Sequence, residues 1–175
     1  MKKSLLFWQF AGFVFTGVVG TLLHFLYDWT DSAFVALFSA VNESTWEHMK
    51  ILFFPLVIFA LLESRYFAKD YKNFWCAKLV GIMTGLTVIP LMYYTYTGVL
   101  GVSADWFNIA IFFIAAAVAF IIETRLMKSE KNFCLSSTVA IVLLCIITVL
   151  FMIFTFATPN IPLFEDPITK TYGLV

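Results

Sequence analysis

Five apolar runs separated by short polar segments make up most of this chain. They cover residues 5–27, 45–67, 74–97, 106–127 and 135–157. A helix needs roughly 20 such residues to cross the hydrocarbon of a bilayer. All five are predicted to be α-helices, because lipid cannot satisfy the backbone N–H and C=O groups of an open strand. A sixth apolar run, residues 33–41, is too short to span. With Asp31 or Ser32 as its cap, it reads as a short interfacial or re-entrant helix that folds the first loop back. The expected fold is therefore all-α: a polytopic membrane helical bundle of five transmembrane helices, with a short interfacial helix between the first two. One integral membrane domain spans residues 1–175, and an outer tail covers residues 158–175.

Composition agrees with that class. The chain is 62% hydrophobic and only 13% charged, too little polar surface to cover a soluble core of this size. Met1-Lys2-Lys3 ahead of an apolar run imitates a secretory signal. The run is longer than a signal-peptide core and lacks a small-x-small cleavage site before Asp28, so it is read as the first membrane helix.

Charge turns the helices into a topology. Lys2, Lys3, Arg65, Lys69, Lys72, Lys78, Arg125, Lys128 and Lys131 fall at one end of the predicted bundle; only Lys50 and Lys170 fall at the other. The acids run the opposite way, with Asp28, Asp31, Glu43, Glu47, Asp105, Glu165 and Asp166 at the lysine-poor end. The positive-inside rule places the lysine-rich end, with the N-terminus, in the cytoplasm and the C-terminus outside the cell membrane. The expected partner is the lipid bilayer, with a homo-oligomer or larger membrane complex as a further expectation. Nucleic acid is excluded, because no basic stripe extends beyond short loops. Cys76, Cys134 and Cys145 lie near helix ends or in mid-helix and are read as small apolar packing residues, with no disulfide framework.

A repeat underlies the topology. Leu61-Leu62-Glu63-Ser64-Arg65 is matched 60 residues later by Ile121-Ile122-Glu123-Thr124-Arg125, and Lys72-Asn73-Phe74 by Lys131-Asn132-Phe133 after 59. Hairpins 45–97 and 106–157 are thus expected to be parallel repeats. The Glu63/Arg65 and Glu123/Arg125 pairs themselves read as helix ends at the interface, with arginine snorkelling toward phosphates. Pro55 and Pro90 fall inside helices, and Gly81-x-x-x-Gly85 is a helix-packing motif.

The candidate chemistry gathers at the lysine-poor end. His24 and Asp28 are one turn apart on one helix face, a spacing that lets them share a metal or lets the acid orient the imidazole. Asn42-Glu43-Ser44-Thr45-Trp46-Glu47-His48-Met49-Lys50 is the densest polar run. Ser44 and Glu47 match a capping box, and Asn42 is also a good N-cap. Capping leaves Glu43, His48 and Lys50 unexplained, and a lysine inside a membrane costs about 2.5–3.5 kcal/mol. The expected site is one outward pocket of His24, Asp28, Asn42, Glu43, Glu47 and His48 with Lys50 at its floor. A divalent metal, zinc or manganese, would be held by His24, Asp28, Glu43, Glu47 and His48. The tail, if ordered, would lid this pocket, pinned by Phe164, Tyr172 and Leu174.

Residues 24–29, 35–50 and the 166–173 tail resemble blocks of a family of small bacterial multi-pass membrane proteins of unknown function. That resemblance implies an integral membrane fold and no assigned activity. His24-x-x-x-Asp28 alone is similar to the seven-helix membrane hydrolases that hold zinc with several histidines and an aspartate; two histidines and five helices fall short of that pattern. Three functions stay open on the sequence: a structural or accessory subunit, a protein that binds a small solute or cation, and a metal-dependent membrane hydrolase or transferase acting on a lipid or envelope substrate. Serine catalysis lacks its Gly-x-Ser-x-Gly elbow, and no glycine-rich phosphate loop exists.

Overall fold

The computed structural model describes residues 4–134 and 136–174. The lysines at positions 2 and 3, the predicted helix start at Leu135 and the terminal Val175 lie outside the described residues. Six α-helices follow in order: α1 (Leu5–Thr30), α2 (Ala33–Ala36), α3 (Thr45–Phe67), α4 (Phe74–Leu100), α5 (Asp105–Met127) and α6 (Ser137–Phe156), then a 3-10 turn at Pro162–Phe164. All but α2 and the 3-10 turn are long and apolar enough to cross a membrane. Among the described residues there is no strand, only an isolated bridge between Glu165 and Tyr172.

Local chemistry sets the helix ends. The hydroxyls of Ser4, Ser44 and Ser136 accept from the N–H groups of Phe7, Glu47 and Val139, satisfying one orphan donor at the start of α1, α3 and α6. Gly101, with φ of 70°, closes α4 in the left-handed region, where a side chain would be strained. Asp31 does the same for α1 at φ 46°. This extends α1 three residues past the predicted end, so Asp28 lies inside it. Helix α2 is a single turn rather than the predicted nine residues. Pro55 and Pro90 lie within α3 and α4, which run through both.

Helix α3 is the hub. Of its apolar window 61% is buried, against 22% for α6, and α3 packs against α1, α4, α5 and α6. Phe53, Phe54, Phe59, Phe120 and Phe151 fill its surroundings. Lipid tails are as apolar as these rings, so close fit rather than burial holds the helices together. The fit is tightest between α4 and α5. A Cβ at Gly81 would stand 2.2 Å from Glu123 Cγ, and one at Gly85 would stand 3.0 Å from the Ala115 carbonyl oxygen. The predicted packing motif therefore does its work here.

Two expectations fail at the lysine-rich end. Cys76 and Cys134 are not separate packing residues: they form a disulfide with Cα atoms 5.5 Å apart, tying the start of α4 to the α5–α6 loop. A separation of 58 residues hid the pairing. Glu63 and Glu123 are not interfacial helix ends either. Both are fully buried, while Arg65 and Arg125 are exposed beside them.

Candidate functional site

The loop after α1 folds back because α1 itself supplies the acceptors. The Leu23 carbonyl accepts from the Ser39 hydroxyl and from Ala40 N–H, and Ser39 Oγ accepts from Tyr27 N–H. This return brings Glu43 between α1 and the first turn of α3. His24 Nε2 and His48 Nε2 each lie 3.6 Å from the same oxygen, Glu43 Oε2. The two imidazole rings meet edge to face with centroids 5.3 Å apart. One ligand atom from each of the three residues falls within 4.8 Å of the others.

The tautomer of His48 is set by its neighbour. Nδ1 lies 2.9 Å from the Ser44 carbonyl oxygen, which can only accept, so Nδ1 carries a hydrogen. In the neutral ring Nε2 then presents a lone pair to a carboxylate oxygen. Two acceptors facing each other repel unless a proton or a cation lies between them. Each histidine–Glu43 pair, 3.6 Å apart, would subtend about 120° at an ion about 2.1 Å from both atoms. Three protein ligands leave the remaining position of a four-coordinate ion open, the count of catalytic rather than structural zinc. The neighbouring imidazole of His24 holds the Glu43 carboxyl below the ordinary 4.5, with burial opposing and His48 assisting. Glu43 thus stays ionised, and able to ligate, through mildly acidic pH. His24 Nδ1 is buried with no hydrogen-bond partner.

The open side of the cluster faces a cavity of about 380 Å3, which contacts Thr21 and Phe25 of α1 and Ile109 and Phe113 of α5. A second cavity of about 230 Å3 adjoins it beneath Pro167 and Ile168 of the tail. Both share Glu43, His48, Asp105 and Asn108. The sequence reading missed Asp105 and Asn108. Their position at the start of the helix opposite, at the same membrane level as His48, was the available signal.

The tail is ordered and covers the second cavity. Asp166 Oδ1 accepts from Ile168 and Thr169 N–H in a tight turn. Asn42 Nδ2 donates to the Gly173 carbonyl at 2.9 Å. Trp46 packs at a tilt against Phe164 and Phe151, with centroids 4.6 and 4.4 Å away.

Other expected site residues are elsewhere. Asp28 is exposed on the end of α1 and outside the three-residue cluster. Asn42 caps no helix; its Oδ1 accepts from Ser44 N–H and its amide holds the tail. Glu47 does not complete the capping box. Its carboxylate turns inward, accepts from Val41 N–H at 3.1 Å and pairs with Lys50 Nζ at 2.5 Å. Lys50 is not a pocket floor: it is sealed from solvent and donates also to the Ala36 carbonyl and Thr155 Oγ1, at 2.8 and 2.9 Å. Glu47 and Lys50 neutralise one another, which removes Glu47 from the ligand set.

A second polar cluster lies at the opposite end. Lys78 Nζ contacts Oε2 of both Glu63 and Glu123, the latter at 2.5 Å. Gln9 Nε2 donates to Glu63 Oε1 at 3.0 Å. A lysine only one turn into α4, followed by Gly81, was the sequence signal for a cation facing inward.

No curated protein and no solved structure matches the chain. One sequence family, described as a family of unknown function (DUF6512), matches residues 2–174. That span takes in α1 through the tail, histidine cluster and buried lysine alike, and the chain belongs to this family.

Proposed function

We propose that this chain is a multi-pass protein of the cell membrane that binds a divalent transition metal at its outer face. His24, Glu43 and His48 are the ligands; Asp28 and Glu47 are dropped from the set expected on sequence. The observation that carries the reading is the convergence of two imidazole nitrogens on one carboxylate oxygen, beside a cavity. Nitrogen and carboxylate donors without thiolate suit zinc or manganese. Metal analysis of protein purified at neutral pH is expected to give about one ion per chain, lost in His48→Ala and reduced in His24→Ala. Affinity should weaken as pH falls through the histidine range, because protons compete for the ring nitrogens. Equal metal content in wild type and both variants would sink the reading.

The outer face is assigned from charge. Lys and Arg crowd the α3–α4 and α5–α6 connections, and translocating them is unfavourable. The disulfide at that end pulls the other way, since cytoplasmic thiols are usually kept reduced. Charge decides, because loop cations fix orientation at insertion, while a thiol pair can oxidise or reduce afterwards. A reporter fused after Val175 is expected to be active only outside the cytoplasm; activity confined to the cytoplasm reverses the orientation.

A further inference from the structure

The buried cluster at the lysine-rich end carries one negative charge more than it can balance. Glu63, Lys78 and Glu123 are 0%, 1% and 1% exposed. Two carboxylates contact a single ammonium. Their oxygens touch the same nitrogen, so they lie within about 5 Å of each other, a distance at which like charges strongly disfavour double ionisation. Among the described residues no further cation contacts them. Helix α1 contributes only the amide of Gln9, α3 Glu63, α4 Lys78, and α5 Glu123 with the Met127 thioether. Helix α6 holds no Asp, Glu, Lys, Arg or His along its length. The Phe74 and Phe120 rings lie 5.7 and 5.6 Å from Lys78 Nζ, apolar walls that favour the ammonium and not the carboxylates.

An independent observation points to the same missing particle. Gln9 is 5% exposed, and its Oε1 is a buried acceptor without a hydrogen-bond partner, a state that folded proteins rarely leave uncompensated. The same amide already donates from Nε2 to Glu63. A half-turn of the amide brings Oε1 to Glu63, and a protonated carboxyl there has the hydroxyl donor that this oxygen lacks.

We propose that Glu63, Lys78 and Glu123 form an intramembrane proton-binding site, in which the two carboxyl groups share one proton above a single ammonium. The ligand is H+, bound to a carboxylate oxygen with no other bond made or broken. The proton belongs to the pair rather than to either residue, and it brings the cluster to neutrality. Helices α1, α3, α4 and α5 all contribute to the cluster, so loading and unloading act on the packing of the whole lysine-rich half. This site is independent of the metal reading, since it shares no residue with the histidine cluster.

The test is infrared difference spectroscopy of the full chain in lipid nanodiscs at pH 7, wild type minus Glu63→Gln and wild type minus Glu123→Gln. Each variant leaves one carboxylate against one ammonium, so no proton is needed. The expected result is one protonated-carboxyl carbonyl band in wild type that is lost in both variants. Absence of the band in wild type, or its persistence in both variants, overturns the proposal. Loss in one variant alone assigns a permanently protonated residue and overturns the sharing. If a variant does not fold, wild type carrying 13C at the glutamate side-chain carboxyl gives the decision. An isotope-shifted acid band at pH 7 supports the site, and its absence ends it.

Discussion

Lys78→Met is expected to cost about 3–5 kcal/mol of stability, the usual penalty for removing one partner of a buried ion cluster. The loss exceeds that of a cavity of the same size, because methionine nearly fills the space of the lysine stem. What it cannot supply is charge. Glu63 and Glu123 would face one another at under 2% exposure, and a second proton would have to bind before the helices could close. Equilibrium unfolding in mixed micelles is the measurement, with the triple variant Glu63→Gln, Lys78→Met, Glu123→Gln as the control. The triple variant has no buried charge, and its stability is expected to return to the wild-type level, as buried ion pairs replaced by neutral groups often do. A single variant within 1 kcal/mol of wild type would show that the cluster is electrostatically idle. A triple variant as unstable as the single one would show that volume, not charge, is at stake.

The sequence reveals the bundle well because each spanning helix must be apolar around most of its surface, and only a run of such residues does that. The bounds of α3 coincide with the predicted run at both ends. The ends of α1 and α4 ran longer than expected, because a helix continues beyond the apolar region until a left-handed residue stops it, here Asp31 and Gly101. The histidine cluster was half legible. Sequence density pointed to residues 42–50, and a return of the first loop was required for His24 to reach His48. Which acid accompanies them was not legible. Glu43 and Glu47 share a helical face on paper, but Glu43 precedes the helix and turns toward the histidines, while Glu47 is drawn inward by Lys50 and Val41 N–H. Direction of a side chain at a helix start depends on backbone angles that spacing does not contain. The Glu63 and Glu123 correspondence was visible, yet it was read as an interfacial pattern. Its meaning depended on Lys78, which sits between them on α4 and was counted among the loop cations. Helix rotation decides whether such a lysine faces water or two carboxylates, and the apolar background of a membrane helix gives little moment from which to read rotation.

Lys50→Met is expected to be similarly damaging, and to weaken the metal site although Lys50 touches none of its ligands. The ammonium pairs with Glu47 within α3 and ties two other segments to that helix, the Ala36 carbonyl of α2 and the Thr155 hydroxyl of α6. Without it the Glu47 carboxylate, 2% exposed, keeps only the Val41 N–H as donor. Stability should fall by about 3–5 kcal/mol. The same loss loosens the loop that holds Glu43, since Val41 and Ala36 flank it on the side away from α3. Metal affinity should drop by about 10-fold, the lower end of what removing a supporting contact does to a metal centre. The double variant Glu47→Gln, Lys50→Met separates the causes. A glutamine carbonyl still accepts from Val41 N–H but needs no counter-charge, so most of the stability should return, and the loop with it. Unfolding in micelles and zinc titration of the same preparations read both effects. If the double variant recovers stability without metal affinity, the loop is held by the ammonium itself through Ala36. If it recovers neither, the ion pair is not what fixes the return of the chain to α1, and the Ser39 hydrogen bonds to Leu23 and Tyr27 must carry that role alone.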